Sequence, residues 1–462
     1  MIEVQRHDER GTKAYKLREQ VAGKRGQYTW SYHSTLGELT DPRALDLLDI
    51  GKALFLADRT FRRSDRLGSQ TRRISVCVPV RSVGVWSAAS TLVENIARFV
   101  SADEWNITFT RSEDTRRRRR RTSKVDVKSV VALFSGGLDS LCGAAHLYLK
   151  GVNPVFVTHS PPGSERVRQL LYDVAAKLGR SDLAPETQFV SFRLSPIERN
   201  KAGFRSMFQE PTRRTRPFFF LSLAGAVAID KGIQTIQMSE NGALAANLPV
   251  RADAYGARCA RQAHAEALRQ FQLLLRTVCP GGESLRVINP FENMTKGEAS
   301  KLLGSARSLA RKSVSCEYVG KQAATILAWK RRHKKQGAGL GTGPECGLCI
   351  PCIVRRAALK QAKIKDSNSW YFFDARRAIS GYRGKSASTA APLYKFVLPH
   401  VYFMQDFCIR LSGMSFQEFV IQYLPELRLA SRDLQRFAGE CQRIYNLEQR
   451  FASEIMRFLG GP

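Results

Sequence analysis

At 462 residues and a formal net charge of +32, the chain is too long for one ordinary α/β domain and reads as about two or three. The charge calls for an anionic partner, nucleic acid through a basic surface or an acidic protein face. No apolar run reaches the roughly 18 residues of a membrane span, and Met1–His7 has no signal-peptide apolar stretch. Ten cysteines, several of them clustered, suit metal binding in a reducing cytoplasm better than a disulfide framework.

In chain order, Asp41-Pro42 supplies an N-cap and a first-turn proline ahead of Leu45, Leu48, Leu54 and Phe55, which predicts a helix. Ile74–Val80 alternates as a strand, Trp86–Val100 reads as helix and Trp105–Thr110 as a second strand. Residues 1–122 are therefore a small N-terminal α/β domain without a catalytic constellation, fit to recognise a partner or substrate or to brace the core. Arg116–Arg121 is an uninterrupted arginine run that reads as a solvated linker, with a phosphate-binding tether as the sharper alternative.

The apolar run Val130–Phe134 then meets Ser135-Gly136-Gly137-Leu138-Asp139-Ser140 and the start of a helix. A buried strand feeding a helix through paired glycines lets the backbone approach a phosphate and aims unpaired N–H groups at it. Ser135 and Ser140 add hydroxyls, and Asp139 suits an N-cap or a magnesium site. The plain alternative is a turn that only joins strand to helix. No Gly-Lys-Ser/Thr follows, so this is not the Walker pattern.

Further strands are expected near Pro154–Thr158, Gln188–Leu194, Ile233–Met238 and Leu285–Ile288, with helices between, Phe218–Ile229 being a buried one. The alternation predicts an α/β fold with a doubly wound parallel sheet, whose ligands sit beyond the carboxyl ends of the strands. Cys346-Gly347-Leu348-Cys349-Ile350-Pro351-Cys352, with Cys316 upstream, offers four thiolates. They suit a closed Zn²⁺ site with Zn–S bonds of about 2.3 Å, and an iron–sulfur cluster also fits the spacing. Cys77, Cys142, Cys259, Cys279, Cys408 and Cys441 are scattered and read as small buried thiols. From about Lys363 the chain turns helical, with apolar stretches at Tyr394–Ile409 and Ser415–Tyr423 that pack on the core or on a second copy.

The loop Ser135–Ser140 resembles the PP-loop of the ATP pyrophosphatases. With Cys316, the three clustered cysteines, Arg355 and Ala357-Ala358, the segment 126–360 resembles the 7-cyano-7-deazaguanine synthase (QueC) family. Thr215–Ala224, Gln237-Met238-Ser239-Glu240, Asn289-Pro290-Phe291 and Lys296-Gly297-Glu298 match its intervening stretches. Residues 1–122 and a helical region 361–462 flank this part. The resemblance implies a PP-loop (HUP-like) fold and ATP bound with Mg²⁺ by Phe134, Ser135, Gly136, Gly137, Leu138, Asp139 and Ser140. It implies catalytic roles for Asp139 and Lys296, and substrate contacts from Arg216 and Glu240. An exposed helix-start lysine is the bland reading of Lys296.

The family activates a 7-deazaguanine carboxylate with ATP and aminates it. QueC-like proteins with an added N-terminal domain resemble those of antiphage defence operons, some associated with attaching the deazaguanine to a protein amine. That resemblance implies an ATP-dependent, AMP- and pyrophosphate-forming C–N ligase with a protein acceptor. Nitrile synthesis with ammonia, tRNA thiolation or lysidine formation, and a basic nucleic-acid-binding protein on the same scaffold are the alternatives. Departures from the family are His159-Ser160-Pro161-Pro162-Gly163, Pro217 in place of an asparagine, and a long Cys316–Cys346 gap carrying Lys330–Lys335. Oligomeric state stays open.

Overall fold

The computed structural model describes residues 1–8, 11–20, 26–63, 71–113, 129–159, 164–182, 188–197, 210, 214–250, 261, 263–316, 345–376, 392–430 and 434–460. Arg116–Arg121, Ser160–Gly163, Cys259 and Lys330–Lys335 lie outside them.

Two sheets organise the chain. The smaller joins β1 (Ile2–Asp8), β2 (Gly11–Leu17), β4 (Arg73–Val80) and β5 (Glu104–Arg111) in the order β2-β1-β4-β5. Between β4 and β5 run α2 (Val83–Ala88) and α3 (Ser90–Ser101), so the single helix expected over Trp86–Val100 is two, divided at Ala89. The helix expected after Asp41 is α1 (Pro42–Thr60), and the Asp41 carboxylate accepts from the Arg43 and Ala44 amides as an N-cap should.

The larger sheet contains β3 (Tyr28–Ser34), β6 (Val130–Leu133), β7 (Pro154–His159), β8 (Phe189–Pro196), β9 (Thr235–Gln237) and β10 (Arg286–Ile288), ordered β10-β9-β6-β7-β8-β3. From β10 to β8 every pairing is parallel, and the chain order reverses between β6 and β9. Such a reversal leaves a crevice at the carboxyl ends of those two strands.

Helices cover both faces of this sheet: α4 (Leu138–Leu149) and α5 (Ser164–Lys177) on one, α1, α6 (Arg216–Lys231) and α8 (Ala265–Val278) on the other. Strand side chains alternate accordingly. Val131, Val155 and Val190 join the core of α1 and α6, while Ala132, Phe156 and Phe189 join that of α4 and α5. The architecture is mixed α/β with a parallel sheet.

Strands β1, β2 and β3 were not expected from the sequence. β3 comes from the first 122 residues yet pairs antiparallel with β8, Trp30 opposite Leu194 and Tyr32 opposite Phe192. The N-terminal segment thus completes the edge of the central sheet, and its helix α1 shares one apolar core with α6.

The junction also holds buried charge. Arg72, 1% exposed, reaches Asp58 and Asp103 at 2.5 Å each, Arg63 ion-pairs with the same two carboxylates, and Asp58 accepts from the Thr215 amide at 3.1 Å. Burial works against ionisation of Asp58, but Arg72 and Arg63 outweigh it and hold the carboxyl below its ordinary value. Each charge here is compensated, the condition for keeping charge in a core.

The C-terminal region is helical as expected: Pro392–Gly413, Phe416–Gln422, Leu424–Ala430 and Leu434–Leu459. Val401, Phe407, Ile444 and Phe451 share a core with Cys346, Cys349 and Cys352, so these helices pack on the cysteine knuckle. Among the described residues no helix is long and apolar enough to cross a membrane.

Candidate functional site: a cleft at the strand reversal

The loop after β6 forms one wall of a cleft of about 470 Å³. Gly136 sits at φ +76°, a left-handed conformation that glycine adopts without the Cβ penalty, and Gly137 opens α4. The Gly137 amide donates to Ser135 Oγ at 3.3 Å, and Ser140 Oγ donates back to the Gly137 carbonyl at 3.0 Å. Ser135, Gly137, Leu138, Asp139 and Ser140 face the cleft, whereas Phe134 is 2% exposed in the core beneath it. Phe134 therefore supports the loop from below.

The opposite wall comes from the next strand. Ser239-Glu240 follows β9, and α4 approaches so closely that a Cβ on Gly143 would stand 2.1 Å from Ser239 Oγ. Asn289, just after β10, clamps the Glu240 backbone, its amide donating to the Glu240 carbonyl at 2.8 Å and its oxygen accepting from the Glu240 amide at 3.2 Å. Asn241 caps the short helix α7 (Gly242–Ala246). Its side-chain amide donates to Glu240 at 2.9 Å and to Asp139 at 3.4 Å, bridging the two carboxylates.

Lys296 opens α9 (Lys296–Lys301) after the N-cap Thr295, whose hydroxyl and Glu298 form a reciprocal capping box. It is 4% exposed, not the solvent-facing lysine of the bland reading, and its Nζ lies 2.6 Å from Asp139 Oδ2. Burial works against its charge, yet Asp139 and Glu240 hold the ammonium above the ordinary lysine range. Glu240 shifts too: burial first, and the neighbouring Asp139 charge second, push its carboxyl up to about 8. Two carboxylates and one ammonium thus share a crevice that already disfavours a second negative charge.

Arg216, at the start of α6, completes the ring, its guanidinium 4.8 Å over the Phe220 ring. Thr215 before it is held by Asp58, so the buried ion network of the N-terminal junction places this arginine. His159 is outside the cleft. Its Nε2 accepts from the Leu194 amide at 3.2 Å among Phe55, Phe219 and Phe220, at a half-buried position.

The remaining wall is Val314-Ser315-Cys316, tied to the loop by the Val314 amide donating to the Gly136 carbonyl at 3.0 Å. Arg355, fully buried, fixes this segment, donating to Ser313 Oγ at 2.7 Å and to the Ala310 carbonyl at 2.6 Å. Cys316 faces both the cleft and a group of four sulfurs, with Cys346, Cys349 and Cys352, all within 4.8 Å of one another. Cys346–Cys352 and Cys316–Cys349 are 3.9 Å apart. A regular tetrahedron with Zn–S bonds of about 2.3 Å has sulfurs about 3.8 Å apart, so the set fits one ion. A four-iron cluster puts each thiolate on a separate iron and spreads them wider.

Gly347, at φ +83°, allows the knuckle, since a Cβ there would meet the Phe373 carbonyl at 2.1 Å. The Leu348 and Cys349 amides point at Cys346 Sγ at 3.5 and 3.3 Å. Four protein thiolates leave no open position, so a metal here is structural and braces the cleft wall through Cys316. Of the other cysteines, Cys142, Cys408 and Cys441 are buried as expected, while Cys77 and Cys279 are only partly so.

A second cavity, of about 490 Å³, lies between β3 and α1 and includes Lys52 and Arg81. Both cations bond Asp49, at 2.7 and 2.8 Å, and no sequence motif falls there. The chemistry converges on the first cleft.

Asn241 and the Asp58–Arg72 network escaped the sequence reading, which named Asn289 only within a matching stretch and gave it no role. Asn241 alone had a signal: Asn-Gly directly after Glu240 is an N-cap pattern. Compared with known proteins, the chain matches no family model, no curated protein and no solved structure. What the fold and site define is therefore a class: a mixed α/β protein with a glycine-turn cleft at the strand reversal and, beside it, a four-cysteine group that could hold a metal.

Proposed function

We propose that the chain is an ATP-dependent C–N ligase of the PP-loop (HUP-like) type. It activates a carboxylate as its adenylate and passes the acyl group to an amine. The carrying observation is that Ser135, Asp139, Ser140, Arg216, Glu240 and Lys296, distant in sequence, line one cleft beside the glycine turn. The substrate class, a 7-deazaguanine carboxylic acid, and the acceptor, a protein amine in antiphage defence, rest on the sequence resemblance.

In this reading the α4 N-terminus, Ser135 and Ser140 cradle the nucleotide phosphates. A carboxylate oxygen attacks the α-phosphorus, the bond to the β-phosphate bridging oxygen breaks, and pyrophosphate leaves. The amine nitrogen then attacks the acyl carbon, the C–O bond to AMP breaks, and the nitrogen loses a proton. Lys296 stabilises the charge that develops on the phosphate oxygens, in a site already withdrawn from water. Arg216 and Glu240 orient the substrate, Glu240 in its neutral form as a donor. Mg²⁺ arriving with ATP would be held by Asp139 and would neutralise charge on the phosphates.

The test is pyrophosphate release from ATP and 7-carboxy-7-deazaguanine, with product mass spectrometry, with ammonia and with candidate acceptor protein in separate arms. Mass added to protein supports the ligase, and a small-molecule amide or nitrile formed with ammonia moves the assignment to precursor synthesis. No pyrophosphate in any arm overturns the proposal, and steeply salt-sensitive DNA or RNA binding would then favour the nucleic-acid reading.

A further inference from the structure

The C-terminal helix Leu434–Leu459 reaches back to the residues on either side of Lys296. Glu454, 4% exposed, accepts a hydrogen bond from the Thr295 hydroxyl and a second, at 3.3 Å, from the Gly297 amide. Three residues are thereby in series: Thr295 and Gly297 held by one carboxylate, Lys296 between them. The fit is close on the other side also, since a Cβ on Gly297 would stand 2.6 Å from Glu454 Oε1 and 2.7 Å from Gln361. One turn earlier Arg450 pairs with Glu298 at 2.9 Å and donates to the Asn293 carbonyl at 2.9 Å. Earlier still, Arg443 donates to Asn293 Oδ1 at 2.8 Å. The helix therefore grips the whole turn from Asn293 to Glu298.

A capping box already closes the start of α9. Glu454 is not needed to cap it, and a buried carboxylate costs stability unless it is bonded. Its placement gains in register: it fixes the direction in which α9 leaves Thr295, and so where the Lys296 ammonium stands relative to Asp139.

We propose that Glu454 is a positioning residue for Lys296, through which the C-terminal helix sets the place of the ammonium in the cleft. The nucleotide arm of the test rests on the function proposed above; the labelling arm does not.

The experiment uses the full chain with Glu454→Gln, Glu454→Asp and Arg457→Gln, the last a control on the same helix. Glutamine keeps the shape but has a single acceptor oxygen and no charge, so it cannot accept from both the Thr295 hydroxyl and the Gly297 amide as the carboxylate does. The first readout is the rate at which an amine-reactive acylating reagent labels Lys296, followed by peptide mass spectrometry at matched fractions folded. Glu454→Gln should raise that rate at least about fivefold, with Glu454→Asp between it and wild type and Arg457→Gln unchanged. An unchanged rate in Glu454→Gln overturns the proposal, whatever the melting temperature does.

The second readout is Mg-ATP affinity in a double-mutant cycle with Lys296→Ala. Glu454→Gln should weaken binding in the wild-type background and add nothing in the Lys296→Ala background. Equal losses in both backgrounds would make Glu454 a general stabiliser and overturn the proposal. Wild type that binds no ATP at all overturns the proposed function instead, and the labelling rates then decide Glu454 by themselves.

Discussion

Lys296 Nζ stands 2.6 Å from Asp139 Oδ2, joining the first turn of α9 to the first turn of α4 across the cleft. The ammonium is almost wholly withdrawn from water and faces a second carboxylate, Glu240, whose proton it must compete with. Cations held in that way can respond strongly to charge that develops beside them.

Lys296→Ala should lower the rate of pyrophosphate release about 10²–10³-fold, the usual cost of losing one preorganised donor to a transition state. Lys296→Arg should recover little, because a planar fork does not fit a site shaped for a point charge. Steady-state kinetics with ATP as the varied substrate reads both.

Glu240 gives a pH dependence with a definite sign. Its folded pKa, about 8, lies above the ordinary glutamate range, so between those values the folded state holds a proton that the unfolded chain has released. Stability from this group is complete at low pH and is lost as the pH rises through about 8. Glu240→Gln, which cannot ionise, should therefore lose less melting temperature than wild type between pH 5 and about 8.5. Parallel curves for the two proteins would count against the assignment.

The four sulfurs should hold one Zn²⁺ per chain, measured by elemental analysis, and Co²⁺ in its place should show the visible absorption of a tetrahedral thiolate site. Cys349→Ser should lose the metal and lower the melting temperature. Because Cys316 also lines the cleft, chelation should weaken ATP binding as well. Iron in stoichiometric amount would instead indicate a cluster.

Asp58→Ala should destabilise the fold by about 3–5 kcal/mol, since it leaves Arg72 and Arg63 buried with only one of the two carboxylates they share, Asp103. The folded Asp58 pKa is depressed, so its contribution is present above the ordinary aspartate value and lost as pH falls through the folded one. Denaturant titrations at pH 7 and pH 3 should show the wild-type advantage shrink at the lower pH. The Thr215 amide also loses its Asp58 acceptor, so substrate affinity through Arg216 should fall more than the stability change alone accounts for.

Much was legible along the chain because its physics is local. A strand feeding Ser-Gly-Gly declares a phosphate-sized turn within a few residues, and Gly136 does take the left-handed conformation such a turn requires. Asp41 caps α1 for the same short-range reason. Cysteines three apart can hardly avoid sharing one knuckle, and alternation of apolar runs with amphipathic ones was enough to expect helices on a parallel sheet.

Tertiary structure decided what depends on partners far along the chain. Nothing near Lys296 says that it is buried; Asp139 and Glu240, distant in sequence, face its ammonium in the assembled cleft. Residues 28–34 alternate like many edge strands, and only the open side of β8 determines that they close the central sheet instead of the N-terminal one. Arg72 and Asp58 look like surface charges in a basic chain, and burial became affordable only because each meets the other inside. Local sequence sets backbone conformation and ligand spacing, which act over a few ångströms of chain. Burial, ion pairing and strand order are properties of the assembled core, and there the third dimension rules.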